Sequence, residues 1–151
     1  EFSNRIINDQ AIVKLLDNAV VYHRRRTTLF KFFKQVFNWG IARINLGKID
    51  RNMLQIVHFL PSIATLISFI SMFGIFFYPN IFIPFIYFYF LILSMVCIYG
   101  GLKTSNIKVL FNLFLVIPFQ IIGYGLGFIF AFIKRFIFGQ SSFTGFKKKY
   151  Y

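Results

Sequence analysis

Residues 109–133, VLFNLFLVIPFQIIGYGLGFIFAFI, decide the fold. No side chain in the run is charged. As a helix rising about 1.5 Å per residue, it is long enough for a hydrocarbon core of roughly 30 Å. Pro118 and the small residues Gly123, Gly125 and Gly127 leave two readings open. Either the run spans as a third membrane helix, or it breaks into a re-entrant hairpin whose non-helical backbone must be buried in protein. The three glycines lie inside apolar sequence, not between a soluble strand and a helix. They therefore do not read as a phosphate-cradling loop, and close helix packing is their expected role. Asn112 and Gln120, polar within the same run, are expected to bond between helices.

Two more apolar runs come before it. Residues 54–78, LQIVHFLPSIATLISFISMFGIFFY, carry no charge beyond what His58 can take up, and His58 reads as a packing or interfacial residue. Tyr78-Pro79-Asn80 is a tight break. Residues 81–102 form the second run, which ends at Gly100-Gly101 and Lys103. A short loop with Lys103 and Lys108 leads into the third run, which stops at Lys134-Arg135. The tail ends FKKKYY, and its lysines and tyrosines read as interface anchors.

Composition supports a membrane protein. Of 151 residues, 58% are hydrophobic and 22% aromatic, with 24 Phe. Mean hydropathy is +0.68. Seventeen Lys and Arg stand against four Asp and Glu, a formal charge of +13. Such charge on an apolar chain points to anionic lipid as partner rather than nucleic acid, because it does not lie on a soluble fold. Cys97, the only cysteine, sits in an apolar run and reads as a small buried residue.

The ten basic residues before the first run place that side in the cytoplasm. Tyr78–Asn80 then faces out and the Lys103/Lys108 loop returns inside. A full third span puts Lys134, Arg135 and Lys147–Lys149 outside, against the positive-inside tendency. A re-entrant third segment returns them to the cytoplasm.

Upstream of the membrane runs lies Tyr22–Arg43, YHRRRTTLFKFFKQVFNWGIAR. Thr27 and Thr28 can cap a helix that starts at Leu29. Its apolar residues, among them Phe33, Val36, Phe37, Ile41 and Ile44, form one stripe, and Lys31, Lys34, Gln35, Asn38, Arg43 and Asn45 form another. This pattern predicts an amphipathic helix lying in the interface plane. Before it, residues 1–10 have helical spacing, 11–16 and 19–22 read as short strands, and Asp17-Asn18 is a turn signal. Two such strands cannot bury a core and need a sheet from elsewhere.

The acids Glu1, Asp9, Asp17 and Asp50 are not paired at any spacing suited to acid/base work or cation chelation. His23, before Arg24-Arg25-Arg26, can ligate a metal if other ligands come from outside this chain, and the arginines can bind a diphosphate. The same residues also read as a solvated basic run at a membrane surface.

EFSNRI, then NAVVYHRRRTTLFKFFKQVFNWGIARINLGKID, then HFLP, resembles the C-terminal part of bacterial family 2 glycosyltransferases, in particular membrane-associated ones that build surface polysaccharides. The resemblance covers roughly residues 1–62, and the membrane region in general character. It implies a GT-A nucleotide-sugar domain whose DxD motif holds Mg²⁺ or Mn²⁺ on the donor diphosphate, with the general base before residue 1. Under it, Glu1 matches an acidic position just after the base motif and Arg5 an arginine on the following helix. His23 matches a metal-ligating histidine, beside which Arg24–Arg26 meet the donor diphosphate or the membrane surface. Gln35 and Trp39 are similar in spacing to the Gln-x-x-Arg-Trp motif that helps bind acceptor and donor, with Asn38 in place of its arginine.

The expected layout is the end of a GT-A domain over 1–28 (a helix and two strands), an amphipathic interfacial helix over 29–50, a membrane domain over 51–138 and a basic tail over 139–151. The expected function is that of the C-terminal part of an inverting glycosyltransferase in the bacterial inner membrane, its catalytic side cytoplasmic. It moves sugar from a nucleotide-sugar donor to a lipid-linked or polysaccharide acceptor, and this piece alone is inactive. The alternative is a non-catalytic basic membrane protein that anchors a partner or binds anionic lipid.

Overall fold

A computed structural model describes residues 28–141 and 144–146 without a break, together with Ile6, Ile12, Lys14, Leu16, Asn18, Ala19, Val20 and Tyr22. The architecture is helical: α1 (Leu29–Ile49), α2 (Leu60–Gly74), α3 (Pro79–Thr104) and α4 (Ile107–Phe132). Two 3₁₀ turns, Arg51–Met53 and Ile56–Phe59, join α1 to α2, and a π turn, Ile133–Ile137, extends α4. Three helical stretches are long and apolar enough to cross a membrane: Ile56–Gly74, Pro79–Thr104 and Ile107–Ile137.

No strand occurs among the described residues. Ile12, Lys14 and Leu16, and then Ala19, Val20 and Tyr22, lie outside regular structure around a turn at Asn18, where the Ala19 amide donates to the Leu16 carbonyl at 3.1 Å. The turn expected there is present, but the flanking strands are not seen. A lone pair of short strands with no sheet to join lacks a stabilising face. Of the helix expected over 1–10, only Ile6 is described, and it is helical.

Local chemistry sets the helix ends. The Thr28 hydroxyl caps α1 by accepting from the Lys31 amide at 3.3 Å. Asp50 closes α1, its amide donating to Leu46 O at 2.9 Å, and its carboxylate accepts from the Asn52 amide at 2.9 Å to start the first 3₁₀ turn. Pro61 and Pro79 sit in the first turns of α2 and α3, where a missing N–H costs nothing. Ser105, with φ 49°, turns the chain out of α3, and the Asn106 side chain caps α4 through the Lys108 amide at 2.9 Å.

α4 runs unbroken through Pro118. The re-entrant alternative for this segment is therefore corrected: it is one continuous helix. Proline removes a single backbone bond, and an apolar surrounding favours keeping all the others within the helix.

The packing centre lies between α1 and α4. Val36, Ile41 and Ile44 of α1 and Phe128 and Ala131 of α4 are buried, with Phe37, Leu54, Phe59 and Tyr124 around them. The alternate glycines of α4 face two partners. Gly123 and Gly127 meet α1: a Cβ on Gly123 would sit 2.9 Å from Val36, and one on Gly127 would overlap the Phe37 carbonyl. Gly125 meets α2, where a Cβ would overlap the Thr65 hydroxyl. Gly40 completes the close approach from α1, against the Phe128 amide. The helix-packing role expected of the three glycines is what the structure shows.

The register of α1 on α4 is parallel. Phe33 packs against Phe119 (ring centroids 6.2 Å apart), Gly40 against Phe128, and Asn45 bonds Arg135. A helix in the membrane plane would touch an upright helix at one crossing. Here contact persists over about four turns, so α1 and the C-terminal half of α4 share one inclination.

Candidate functional site

α1 presents three differently used sides. Val36, Gly40, Ile41, Ile44 and Gly47 are buried. A second side carries Lys34 and Asn38 and is covered by the chain after α4. The Asn38 amide donates to Phe146 O at 2.9 Å, and its oxygen accepts from the Phe146 amide at 3.0 Å. This double bond pattern copies a backbone-to-backbone bridge and fixes residues 144–146 on α1. Phe146 then stacks edge-on against Phe37, centroids 5.2 Å apart, and Lys34 Nζ lies 5.2 Å from the Phe146 ring and 4.3 Å from Phe30.

The third side faces away from α4. Gln35 and Trp39 lie there one helical turn apart, as i and i+4, with Lys31 one turn earlier. Trp39 is 49% exposed although it is the largest apolar side chain of the helix. An indole held on an exposed helical face offers a flat apolar surface with one N–H donor, and half-buried Gln35 lies one turn before it.

Of the residues singled out in the sequence, the structure brings together Gln35 and Trp39. Glu1, Arg5, His23, Arg24, Arg25 and Arg26 lie outside the described residues, as does Thr27. Among the described residues no three His, Cys, Asp or Glu side chains stand close enough to hold a metal ion. A divalent cation therefore has no ligand set among them. His58 closes the second 3₁₀ turn, its Nδ1 accepting from the Gln55 amide at 3.0 Å, a structural role in line with the packing reading.

The sequence did not reveal Arg135 as a junction. It is 7% exposed, and its guanidinium donates to Asn45 Oδ1 at 2.7 Å, to Asn45 O at 3.2 Å and to the Ser141 carbonyl. Lys48 Nζ donates in turn to Arg135 O at 2.9 Å. The basic pair Lys134-Arg135 was visible as the end of an apolar run. The π turn that swings Arg135 inward while Lys134 stays near the surface has no signature in composition or spacing.

Compared with known proteins, the chain matches no family model, no curated protein and no solved structure.

Proposed function

We propose that this chain is the membrane-anchoring C-terminal part of a glycosyltransferase that moves a sugar from a nucleotide-sugar donor to a lipid-linked or polysaccharide acceptor at the cytoplasmic face of a bacterial inner membrane. The observation that carries the reading is the division of labour on α1. One side is locked to a helix of membrane length, and the opposite side holds Gln35 and Trp39 one turn apart. The resemblance of residues 1–62 to family 2 glycosyltransferases supplies the reaction class. In this reading Gln35 and Trp39 position the acceptor. His23, with Arg24–Arg26, meets the metal-bound diphosphate of the donor, and Glu1 lies beside the base motif.

An acceptor tethered to a lipid has its reacting hydroxyl close to the headgroups. A helix that is bonded to the membrane domain and exposes Trp39 can hold that hydroxyl near the donor, which removes part of the entropic cost of meeting.

The test is sugar transfer by the full-length parent, in membranes, from labelled nucleotide-sugars to endogenous lipid. Trp39→Ala is expected to lower transfer at least about tenfold, about 1.4 kcal/mol in the transition state, and to raise the KM for acceptor. Ala42→Ser on the same helix should leave it unchanged. A parent that transfers no sugar from any nucleotide donor would overturn the reading and favour the non-catalytic membrane anchor. Unaltered kinetics in Trp39→Ala would remove α1 from the acceptor site.

A further inference from the structure

The contact register of the four helices fixes how often the chain can cross a bilayer, whatever reaction it serves. α4 is a ruler for this purpose. Its start lies beside the end of α3: a Cβ on Gly101 would sit 3.0 Å from Leu110, and one on Gly100 would overlap Leu113. Its C-terminal half lies beside the start of α2. Phe59 packs edge-on against Phe128, centroids 4.9 Å apart, and the Thr65 hydroxyl donates to Ile121 O at 3.1 Å. Going from Phe59 to Thr65, the contacts on α4 step backwards from Phe128 to Ile121, so α2 sets out against the direction of α4.

From Leu110 to Phe128 is about 27 Å along a helix, close to the roughly 30 Å of a hydrocarbon core. The stretch from Phe59 to Gly101 therefore starts at one end of α4 and finishes at the other. Two full crossings by α2 and α3 would return the chain to the level of Phe128. It finishes at Leu110 instead, so α2 and α3 together make one net passage.

We infer that the described helices cross the membrane twice, once between Phe59 and Gly101 and once through α4. α2 carries exposed Ile63, Leu66, Ile70 and Phe73, which suit it to acyl chains. The tail then emerges on the side of α1, to which Asn38, Asn45 and Lys48 bind it.

This arrangement also resolves the charge conflict posed by three full spans. Lys48, Arg51, Lys134 and Arg135 gather at one end of α4. Among the described residues, Lys103 and Lys108 mark the other end. By the positive-inside rule the crowded end faces the cytoplasm, against the anionic leaflet.

Single cysteines in the full chain, with Cys97 replaced by Ala, test this in sealed vesicles of both orientations with a membrane-impermeant maleimide. Asn52→Cys and Ser141→Cys should label from the same side, and Thr104→Cys only from the opposite side. Asn52 and Thr104 labelling together with Ser141 opposite would establish three crossings and overturn the inference. All three on one side would overturn it too, by removing the α4 crossing. An unsubstituted chain with a C-terminal epitope gives a second readout: digestion of the epitope from the side opposite Asp50–Met53 sinks the proposal without any cysteine variant.

Discussion

A guanidinium at 7% exposure must find acceptors, and Arg135 finds the side chain and carbonyl of Asn45 and the carbonyl of Ser141. No carboxylate pairs with it among the described residues. Its compensation is the backbone: α1 and α4 run parallel, so the partially negative C-terminal ends of both helices meet at this point, and Arg135 and Lys48 set two positive charges there. Arg135→Ala should cost about 2–3 kcal/mol in denaturant unfolding of the protein in detergent micelles, since charged bonds are lost and buried acceptors are stranded. Arg135→Lys keeps the charge but lacks the planar fork, and should recover only part of that loss. Asn38 acts at the same scale, on the tail alone. Asn38→Ala removes both bonds to Phe146, so amide exchange at Phe146 should quicken while exchange within α4 stays unchanged. Asn38→Asp keeps the acceptor for the Phe146 amide and should fall between the two.

At the scale of elements, the α1–α4 contact depends on absent side chains. Gly127→Val would drive a branched side chain into the Phe37 carbonyl, where only backbone movement can make room. The expected cost is about 1–3 kcal/mol, with α1 detached first, read as faster amide exchange over Leu29–Ile49. Gly125→Val should instead disturb α2, because that position meets Thr65 and Pro61. Leu115→Ala, on the exposed side of α4, should change neither. The sequence made the packing role of these glycines legible, as it did the apolar runs, the Tyr78–Asn80 break and the start of α1 near Thr28, because length, hydropathy and capping are local properties. It did not show that Gly123 and Gly127 serve one partner and Gly125 another, since that depends on which helices approach. The same holds for the candidate site. Gln35 and Trp39 were legible as a spaced pair, and helical geometry alone puts them on one face. Arg135 was not, because its role depends on Asn45, ninety residues away. The expected strands needed partners outside these residues, so β-propensity in AIVKLL had nothing to act on.

The molecule as a whole must assemble in an order that its sequence reverses. α1 is made before α4, yet its buried face, Val36, Gly40, Ile41 and Ile44, has its partner there. Until α4 is inserted, α1 is an amphipathic helix with an unpartnered apolar stripe beside a membrane. An in-plane interfacial placement is what its stripe predicts for that state alone. Arrival of α4 replaces lipid with protein on this face. The gain comes from close packing at Gly40 and Gly127 and from the bonds of Asn38, Asn45 and Lys48, more than from removing apolar surface from water. A chain stopped after Asn106 should therefore keep α1 helical and membrane-bound but leave it locally unstable. Trypsin should cut at Lys34, Arg43 and Lys48 in that chain at least about tenfold faster than in the complete one, as expected if docking on α4 lowers the open population by about 1.4 kcal/mol or more. Equal cleavage rates would mean that α1 draws its stability from the membrane alone, and that its contact with α4 adds position without adding stability.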